Sequence, residues 1–369
     1  MKNLKYIDTL LKNNSVEWKT LGEVADYEQP TKYLVDSNNY NDNYKTPVLT
    51  AGKTFILGYT DETEGIYKAS TNPVIIFDDF TTANKWVDFD FKAKSSAMKM
   101  ITSKNESIAS IKYIYYWLNT LPSELTDGDH KRQWISNFAN KQIPIPPLPV
   151  QQEIVRILDT FTELTAELTA ELTARKKQYA FYREQLLSFE AGEVEWKTLG
   201  EVVNMRAGQH ISASNIMNIA SSEYQFPCFG GNGVRGYVKN KSHNGNHLLI
   251  GRQGALCGNV QRFNGEFYAT EHAVVVTSNG NISIEYAFHL LTFMNLNQYA
   301  SKSAQPGLAV SNIERLKIPI PPLAEQARIV AILDKFDVLT TSISEGLPKE
   351  IALRQQQYEY YRDRLLTFK

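Results

Sequence analysis

Cysteine is scarce in this chain of 369 residues. Its two thiols, Cys228 and Cys257, have neither Cys-x-x-Cys spacing nor paired histidines beside them. That excludes a disulfide framework and a zinc cluster, and leaves the expectation of two reduced, buried thiols in a cytosolic protein. Long apolar runs are missing as well. No stretch approaches the roughly 20 residues that span a bilayer. Met1 to Leu11 is a short Lys-bearing amphipathic stretch with no apolar core and no small-residue cleavage pattern, so neither a membrane span nor a signal peptide is expected. An excess of one charge is also lacking: 39 Lys and Arg stand against 40 Asp and Glu. Residues 16–140 hold 13 basic against 17 acidic side chains, and residues 195–315 hold 9 against 7. Any hold on a polyanion must therefore come from local patches or from a partner's surface. Hydrophobic content of 43% and charged content of 21% are those of a soluble globular chain, long enough for two or three domains with real cores.

Catalytic signatures are absent too. Gly231-x-Gly233-x-x-Gly236 has the letters of a dinucleotide fingerprint, but its last glycine leads into Tyr-Val, a strand pattern, where the fingerprint needs a helix. A tight turn facing a ligand or DNA is the better reading. Gly52-Lys53-Thr54 resembles the end of a phosphate loop, yet the position of that loop's first glycine holds Pro47. Glu17-x-Lys19 and Glu195-x-Lys197 lack the acidic partner of a nuclease site and read as structural strand. Asn72-Pro73-Val74 lacks the aromatic residue with which an amino-methyltransferase stacks on a base. The six histidines, at 130, 210, 243, 247, 272 and 289, show no metal-ligand spacing. No catalytic residue and no metal ligand is assigned.

What the chain does have is duplication. Val16-Glu-Trp-Lys-Thr-Leu-Gly-Glu-Val24 recurs letter for letter as Val194 to Val202. Gln142-Ile-Pro-Ile-Pro-Pro-Leu148 returns as Lys317-Ile-Pro-Ile-Pro-Pro-Leu323, and each leads into Ile-Val-x-Ile-Leu-Asp-x-Phe (Ile154 to Phe161, Ile329 to Phe336). Gln178-Tyr-Ala-Phe-Tyr-Arg returns as Gln357-Tyr-Glu-Tyr-Tyr-Arg. Two inserts between these blocks, at about 25–140 and 203–315, share no evident similarity. A frame kept in duplicate around two different inserts suits two different readers on one symmetric support.

The frame reads as helix. After Pro146-Pro147, apolar residues at 154, 157, 158, 161, 164, 168 and 172 fall at spacings of three and four, and no Gly or Pro occurs from Val150 to Glu190. The spacing predicts a helix from near Val150 to about Phe189. The second copy, from about Ala324 to Phe368, is predicted to kink or break at Gly346-Leu347-Pro348. The apolar stripes are expected to pack on each other as a coiled coil. Thr-Ala-Glu-Leu occurs at 165–168 and again at 169–172. Such a unit keeps Leu164, Leu168 and Leu172 near one face, so adding a unit changes length and not the stripe. A spacer is one reading and plain helix filler the other.

The inserts read as mixed, with more strand than helix. Strands are predicted at 46–50, 65–69, 73–77, 236–239, 247–250 and 273–277, and helices at 110–119 and 286–294. Both inserts end as strand, helix, loop and then the Ile-Pro-Ile-Pro-Pro block, so a shared fold is expected. Their loops interleave basic, amide, hydroxyl and aromatic residues. Arg and Lys match guanine edges, Gln and Asn match adenine, and Ser, Thr and Lys hold phosphates. On that chemistry the candidate contacts in the first insert are Gln29, Thr31, Lys32, Lys53, Thr54, Thr81, Thr82, Lys85, Lys94, Ser96, Lys99, His130, Lys131 and Arg132. In the second they are Arg206, Gln209, His210, Asn232, Arg235, Lys239, Lys241, Arg252, Gln253, His272 and Gln305.

This arrangement resembles the specificity subunit of type I restriction–modification enzymes, and the Thr-Ala-Glu-Leu repeat resembles the type IC branch. The resemblance covers nearly the whole chain. It rests on the duplicated Val-Glu-Trp-Lys-Thr-Leu-Gly-Glu-Val starts, the Ile-Pro-Ile-Pro-Pro-Leu entries, the Ile-Leu-Asp-x-Phe helices and the Tyr-Arg ends. It implies an α+β fold: two mixed α/β target recognition domains separated by two long antiparallel helices, with an internal pseudo-twofold repeat. The expected bounds are a helical arm at 1–15, recognition domains at 16–141 and 193–316, and helical regions at 142–192 and 317–369. It further implies a non-catalytic, cytoplasmic DNA-recognition subunit with no cofactor of its own. Each recognition domain would read half of a bipartite site in double-stranded DNA, while the helices set the spacer. Two methyltransferase subunits carrying S-adenosylmethionine would dock on the helices, and restriction/translocase subunits using ATP and Mg would join them. A single-chain modification enzyme and a coiled-coil scaffold are the rival readings.

Overall fold

The computed structural model describes residues 15–52, 54–122, 132–190, 192–302 and 306–368. The expected N-terminal arm therefore lies, but for Ser15, outside the described residues. The first half of the chain runs β1 (Glu17–Thr20), α1 (Leu21–Val24), β2 (Ala25–Glu28), β3 (Thr46–Leu49), β4 (Ile56–Thr60) and β5 (Val74–Asp78). It continues with β6 (Asn84–Val87), β7 (Lys92–Ala93), β8 (Met98–Ser103), α2 (Ile111–Leu118), α3 (Gln133–Ser136), β9 (Gln142–Ile145) and the long helix α4 (Leu148–Leu187). The second half begins β10 (Glu195–Thr198), α5 (Leu199–Val202), β11 (Val203–Ala207), β12 (Phe226–Gly230), β13 (Gly233–Val238) and β14 (His243–Gly251). It ends with β15 (Val260–Ala269), β16 (Ala273–Ser278), α6 (Ile284–Phe293), α7 (Val310–Glu314), β17 (Lys317–Ile320), α8 (Leu323–Thr341) and α9 (Gly346–Leu366). Residues up to Glu167, with those from Ile351, form one compact unit; Leu168–Glu350 form the other.

In the first unit an antiparallel sheet has the order β2-β8-β5-β6. All five residues of β5 are buried, as a run of Val-Ile-Ile-Phe at the centre of a sheet requires. A smaller sheet, β4-β3-β7, pairs β3 in parallel with β7 (Val48 with Lys92, Leu49 with Ala93). In the second unit one sheet has the order β11-β16-β14-β15-β12-β13, and β12 runs parallel to the end of β15 (Cys228 with Tyr268, Phe229 with Ala269). The two descriptions are the same fold. Strand β15 does in one piece what β6 and β7 do in two, and the bulge between Val48 and Leu49 recurs between Cys228 and Phe229. The inserts share a fold, as expected, although the strands themselves were only partly foreseen. Segment 65–69, read as a strand, makes a single bridge from Tyr67 to Phe91.

The frame is built twice from the same contacts. Strand β1 pairs with β9, and β10 with β17, in the same register: Trp18 faces Pro144 and Trp196 faces Pro319. This bears out the strand reading of the Glu-x-Lys segments. The Glu23 carboxylate accepts the backbone N–H and hydroxyl of Thr20 at 2.5 and 2.7 Å, and Glu201 accepts those of Thr198 at 2.6 Å each, closing each short helix start. Gln151 and Gln326 are fully buried. The Gln151 Oε1 accepts from Ser110 N while its Nε2 donates to the carbonyls of Ile108 and Pro146. Gln326 does the same with Ser283 N and the carbonyls of Asn281 and Pro321. Each insert's helix is thereby fixed to its own frame strand, with Tyr113 and Tyr286 donating to Pro144 and Pro319.

Helix α4 starts two residues before the predicted bound and ends two before it, within the usual fraying of helix ends. The predicted break is present. Helix α8 stops at Thr341, and Gly346 opens α9 at φ +80°, where a Cβ would meet the Val338 carbonyl at 2.4 Å. The stripes pack through aromatic pairs. Phe161 stacks on Tyr361 at 5.3 Å in the first unit, and Phe336 stacks on Tyr182 at 5.5 Å in the second. Each unit thus joins the Ile-Leu-Asp-x-Phe segment of one sequence copy to the Tyr-Arg end of the other.

Candidate nucleic-acid interface

In each unit the polar loops gather at one end of the sheet, opposite the end that meets the frame. In the first unit that end is made by the close of β2, β3, β5 and β7 and the start of β6 and β8. The backbone N–H of Lys94 donates to Leu49 O, joining its loop to the turn that carries Thr54. Asp79 N donates to Ala97 O at 3.4 Å, so Ser96 leads toward the β5–β6 turn with Thr81 and Thr82. Gln133 N donates to Asp79 O at 2.8 Å, which brings in Arg132. Asp78 Oδ1 accepts from Phe80 N and Thr81 N, shaping this turn. Thr82 is held at φ +60°, an unusual setting for a β-branched residue, of the kind that concentrates at functional turns. Gln29, Thr31 and Lys32 are exposed on the turn that follows β2, and Lys85 is exposed on β6.

Several cations at this end are already engaged. Lys32 pairs with Glu28 at 3.1 Å, and Lys94 donates to Asn38 Oδ1 and stands over the Tyr40 ring. Lys99 corrects the sequence reading. It is only 1% exposed, lies 3.5 Å from Asp79 and sits over Tyr27. It belongs to the core: its place on β8 corresponds to Val274 on β16. A Lys on a loop-flanked strand looks like a contact in sequence because alternation cannot reveal that both faces of β8 are covered. Lys53, His130 and Lys131 lie outside the described residues.

The second unit brings more of its predicted residues together. Strands β12 and β13 turn through Gly231-Asn232. Gly233 at φ +102° and Gly236, where a Cβ would meet Met217 O at 2.4 Å, explain the glycine spacing as hairpin geometry. Beside this turn, Arg252 N donates to His272 O, and Gln209 N donates to Ala269 O. Asn232, Arg235, Gln253 and His272 line one open cavity of about 750 Å³, with Leu256 on its wall. His210 and His272 lie 3.0 and 3.5 Å from Glu271. Burial pushes the Glu271 carboxyl up, but the His210 bond and the neighbouring imidazoles outweigh it and hold the carboxyl below the usual range. Arg206 and Gln209 are exposed at the same end.

Lys239 and Lys241 stand apart from that cavity. Lys239 pairs with Glu223 at 2.5 Å and lines a separate cavity of about 390 Å³ with Tyr224 and Tyr268. Lys241 pairs with Glu266. Gln305 lies outside the described residues. Leu256, 57% exposed on the cavity wall, was not singled out from sequence because an apolar residue in a glycine-rich loop carries no chemical signal of its own.

A family model described as type I restriction modification DNA specificity domain matches the chain twice, at residues 13–175 and 192–353. Over its full length the chain is 50% identical to the specificity subunit of the type I restriction enzyme EcoR124I/EcoR124II of Escherichia coli, covering 98% of that protein. It is 58% identical to the EcoprrI specificity subunit, also of Escherichia coli, across 64% of this chain and 63% of that one. The crystal structure of a type I restriction–modification S subunit from M. genitalium superposes with a TM-score of 0.70 at 16% identity, covering 97% of this chain and 98% of that one.

Proposed function

The chain belongs to the type I restriction–modification DNA specificity family, and we propose that each of its two units reads one half of a bipartite site in double-stranded DNA. As a specificity subunit it is a DNA-recognition component and is not itself catalytic. The observation that carries the two-reader proposal is the contrast between the sheet ends. One fold, with corresponding strands and one bulge in each copy, presents Gln29, Thr31, Lys85 and Arg132 on its loops and edge in the first unit and Asn232, Arg235, Gln253 and His272 around a cavity in the second. Different side chains on identical supports read different bases. Arg235 suits the acceptor pair of a guanine edge, and Gln253 or Asn232 suits adenine. The exposed Lys85 and the threonine turn suit phosphate contacts that fix register.

The helical frame is assigned two tasks in the assembled complex: setting the distance between the half-sites and holding two methyltransferase subunits, with restriction/translocase subunits joining them. S-adenosylmethionine would be held by the methyltransferase subunits, where it would supply the methyl group, and ATP and Mg would serve the translocase. The part of this chain is to choose the base that is presented.

The test is a segment exchange in the full chain. Residues 203–315 are replaced by the corresponding segment of another specificity subunit, and the DNA modified by the assembled complex is mapped by methylation-sensitive sequencing. One half of the recognised motif should change and the other half and the spacer should stay. A change in both halves would contradict independent readers.

A further inference from the structure

The hairpins β3–β4 and β12–β13 keep one device in two inserts that otherwise share no evident similarity. Strand β3 pairs Val48 with Gly58 and Leu49 with Ile56, so Leu57 is an extra residue with no partner. Strand β12 pairs Cys228 with Gly236 and Phe229 with Val234, and there the extra residue is Arg235. Residues directly opposite on antiparallel strands share a face, and Leu49 and Phe229 are buried. Ile56 and Val234 nevertheless stand 40% and 52% exposed. A bulge re-aims side chains in this way. Each bulge is also held from behind by the same contacts. Gly58 and Gly236 follow the extra residue, and a Cβ there would meet Tyr40 Cβ at 2.7 Å or Met217 O at 2.4 Å. The crossing segment then bonds to the next residue: Asn41 N donates to Tyr59 O at 3.1 Å, and Met217 N to Tyr237 O at 2.9 Å.

Single exposed aliphatic residues are common on protein surfaces, and Ile and Val suit strands. Neither fact explains a β-branched side chain turned into water at the matching place of both bulges. Val234 lines the cavity that also holds Asn232, Arg235, Gln253 and His272. Among such hydrogen-bonding side chains an aliphatic group has one kind of base feature to meet. The major groove admits a two-stranded ribbon, and its apolar base feature is the C5-methyl of thymine. Because the aliphatic residue is common to both readers, the feature it meets must be common to both half-sites. The extra residue beside it, Leu57 or Arg235, differs as the rest of the half-sites do.

We infer that Ile56 and Val234 each contact the C5-methyl of a thymine placed alike in the two half-sites. This rests on the two-reader function proposed above and names a base that each reader requires. The complex assembled with its methyltransferase subunits is given duplexes carrying its mapped site. Each thymine of the half-sites, on either strand, is replaced in turn by deoxyuridine, which removes a methyl and keeps every hydrogen bond. In competition binding at fixed salt, wild type should lose about three- to fivefold in affinity at one position in each half-site, the scale of one buried methyl. Val234→Ala should bind unmodified DNA more weakly by a similar factor. It should ignore deoxyuridine in one half-site and keep the response in the other, and Ile56→Ala should do the reverse. Thermal unfolding controls for the fold, and the wild-type deoxyuridine series needs no variant. Wild type indifferent to deoxyuridine at every position would overturn the proposal. So would variants that bind more weakly yet keep the full thymine preference, as a wedge between base steps would. A complex that modifies no bipartite site, or a variant in one unit that alters the preference in both half-sites, would overturn the two-reader reading itself.

Discussion

At the residue scale the structure separates side chains that touch DNA in the proposal from side chains that hold the readers together. Lys99 is the clearest case. Its ammonium is buried against Asp79, which also accepts Trp134 N at 2.8 Å. Removing one partner leaves a buried charge, a loss of about 3–5 kcal/mol. Lys99→Met should therefore lower the urea midpoint sharply, and Lys99→Met with Asp79→Asn should recover much of it. Unchanged stability with weakened DNA binding would return Lys99 to the interface. His289 gives a second test. It is 1% exposed and bonded to Asp334 at 2.8 Å, and Asp334 also holds Arg262 at 2.7 Å. Burial lowers the imidazole's pKa, and the Asp334 bond only partly restores it. The unfolded chain then takes up a proton that the folded chain refuses. Stability should be level above the ordinary histidine range and fall as pH drops below about 6.5, until the lowered folded value is reached. His289→Gln should flatten that slope in denaturant titrations repeated across pH; an unaltered slope would assign it to other groups.

The frame glutamines show what was legible at this scale and what was not. Gln151 and Gln326 stand at matching places after the two Pro-Pro-Leu entries, so duplication marked them, but an amide among helix residues gives no hint that it will be buried. The cavity residues Asn232, Arg235, Gln253 and His272 were legible by side-chain chemistry, and so was the turn formed by the glycines. That these four share one cavity depends on strand pairing, which residue chemistry does not contain.

At the element scale, strong periodicity and duplication were readable and strand pairing was not. The helix α4 and the break before Gly346 follow from apolar spacing and from Gly and Pro. Strand β15 was missed because Val-Gln-Arg-Phe-Asn-Gly-Glu-Phe-Tyr-Ala has no clear alternation; it is a strand because β14 pairs along one side and β12 with its end. The Thr-Ala-Glu-Leu repeat belongs to this scale. Leu164, Leu168 and Leu172 are all half-buried along α4, and a third unit after Leu172 would continue that stripe. One unit adds about 6 Å of helix, against about 3.4 Å per base pair. Because the extension is shared with the packed partner helix and with reader tilt, the untouched spacer should widen by nearer one base pair than two, with both half-sites unchanged. An unchanged spacer in the mapped methylation motif would make the segment filler. The aromatic stacks should matter in the same way for folding: Phe336→Ala, which removes the stacks on Tyr179 and Tyr182, should destabilise the chain in chemical denaturation by less than the roughly 3–5 kcal/mol of a fully buried phenylalanine, because Phe336 is half-buried.

At the scale of the whole molecule the charge is close to balanced, with a net of −1. Phosphate attraction alone is then too weak for tight binding, and the isolated chain should bind its site far less tightly than the complex with methyltransferase subunits at matched salt. Equal affinities would remove the need for a partner. The measurement that bears most directly on two independent readers is the methylation map of the assembled complex carrying Arg235→Ala and Gln253→Ala, compared with wild type. Each lost base contact removes about 1–3 kcal/mol of discrimination. The half-site read by the second unit should relax at one or two positions, while the other half-site and the spacer stay as in wild type. Loss of discrimination in both halves, or an unaltered motif, would contradict the assignment of one half-site to each unit.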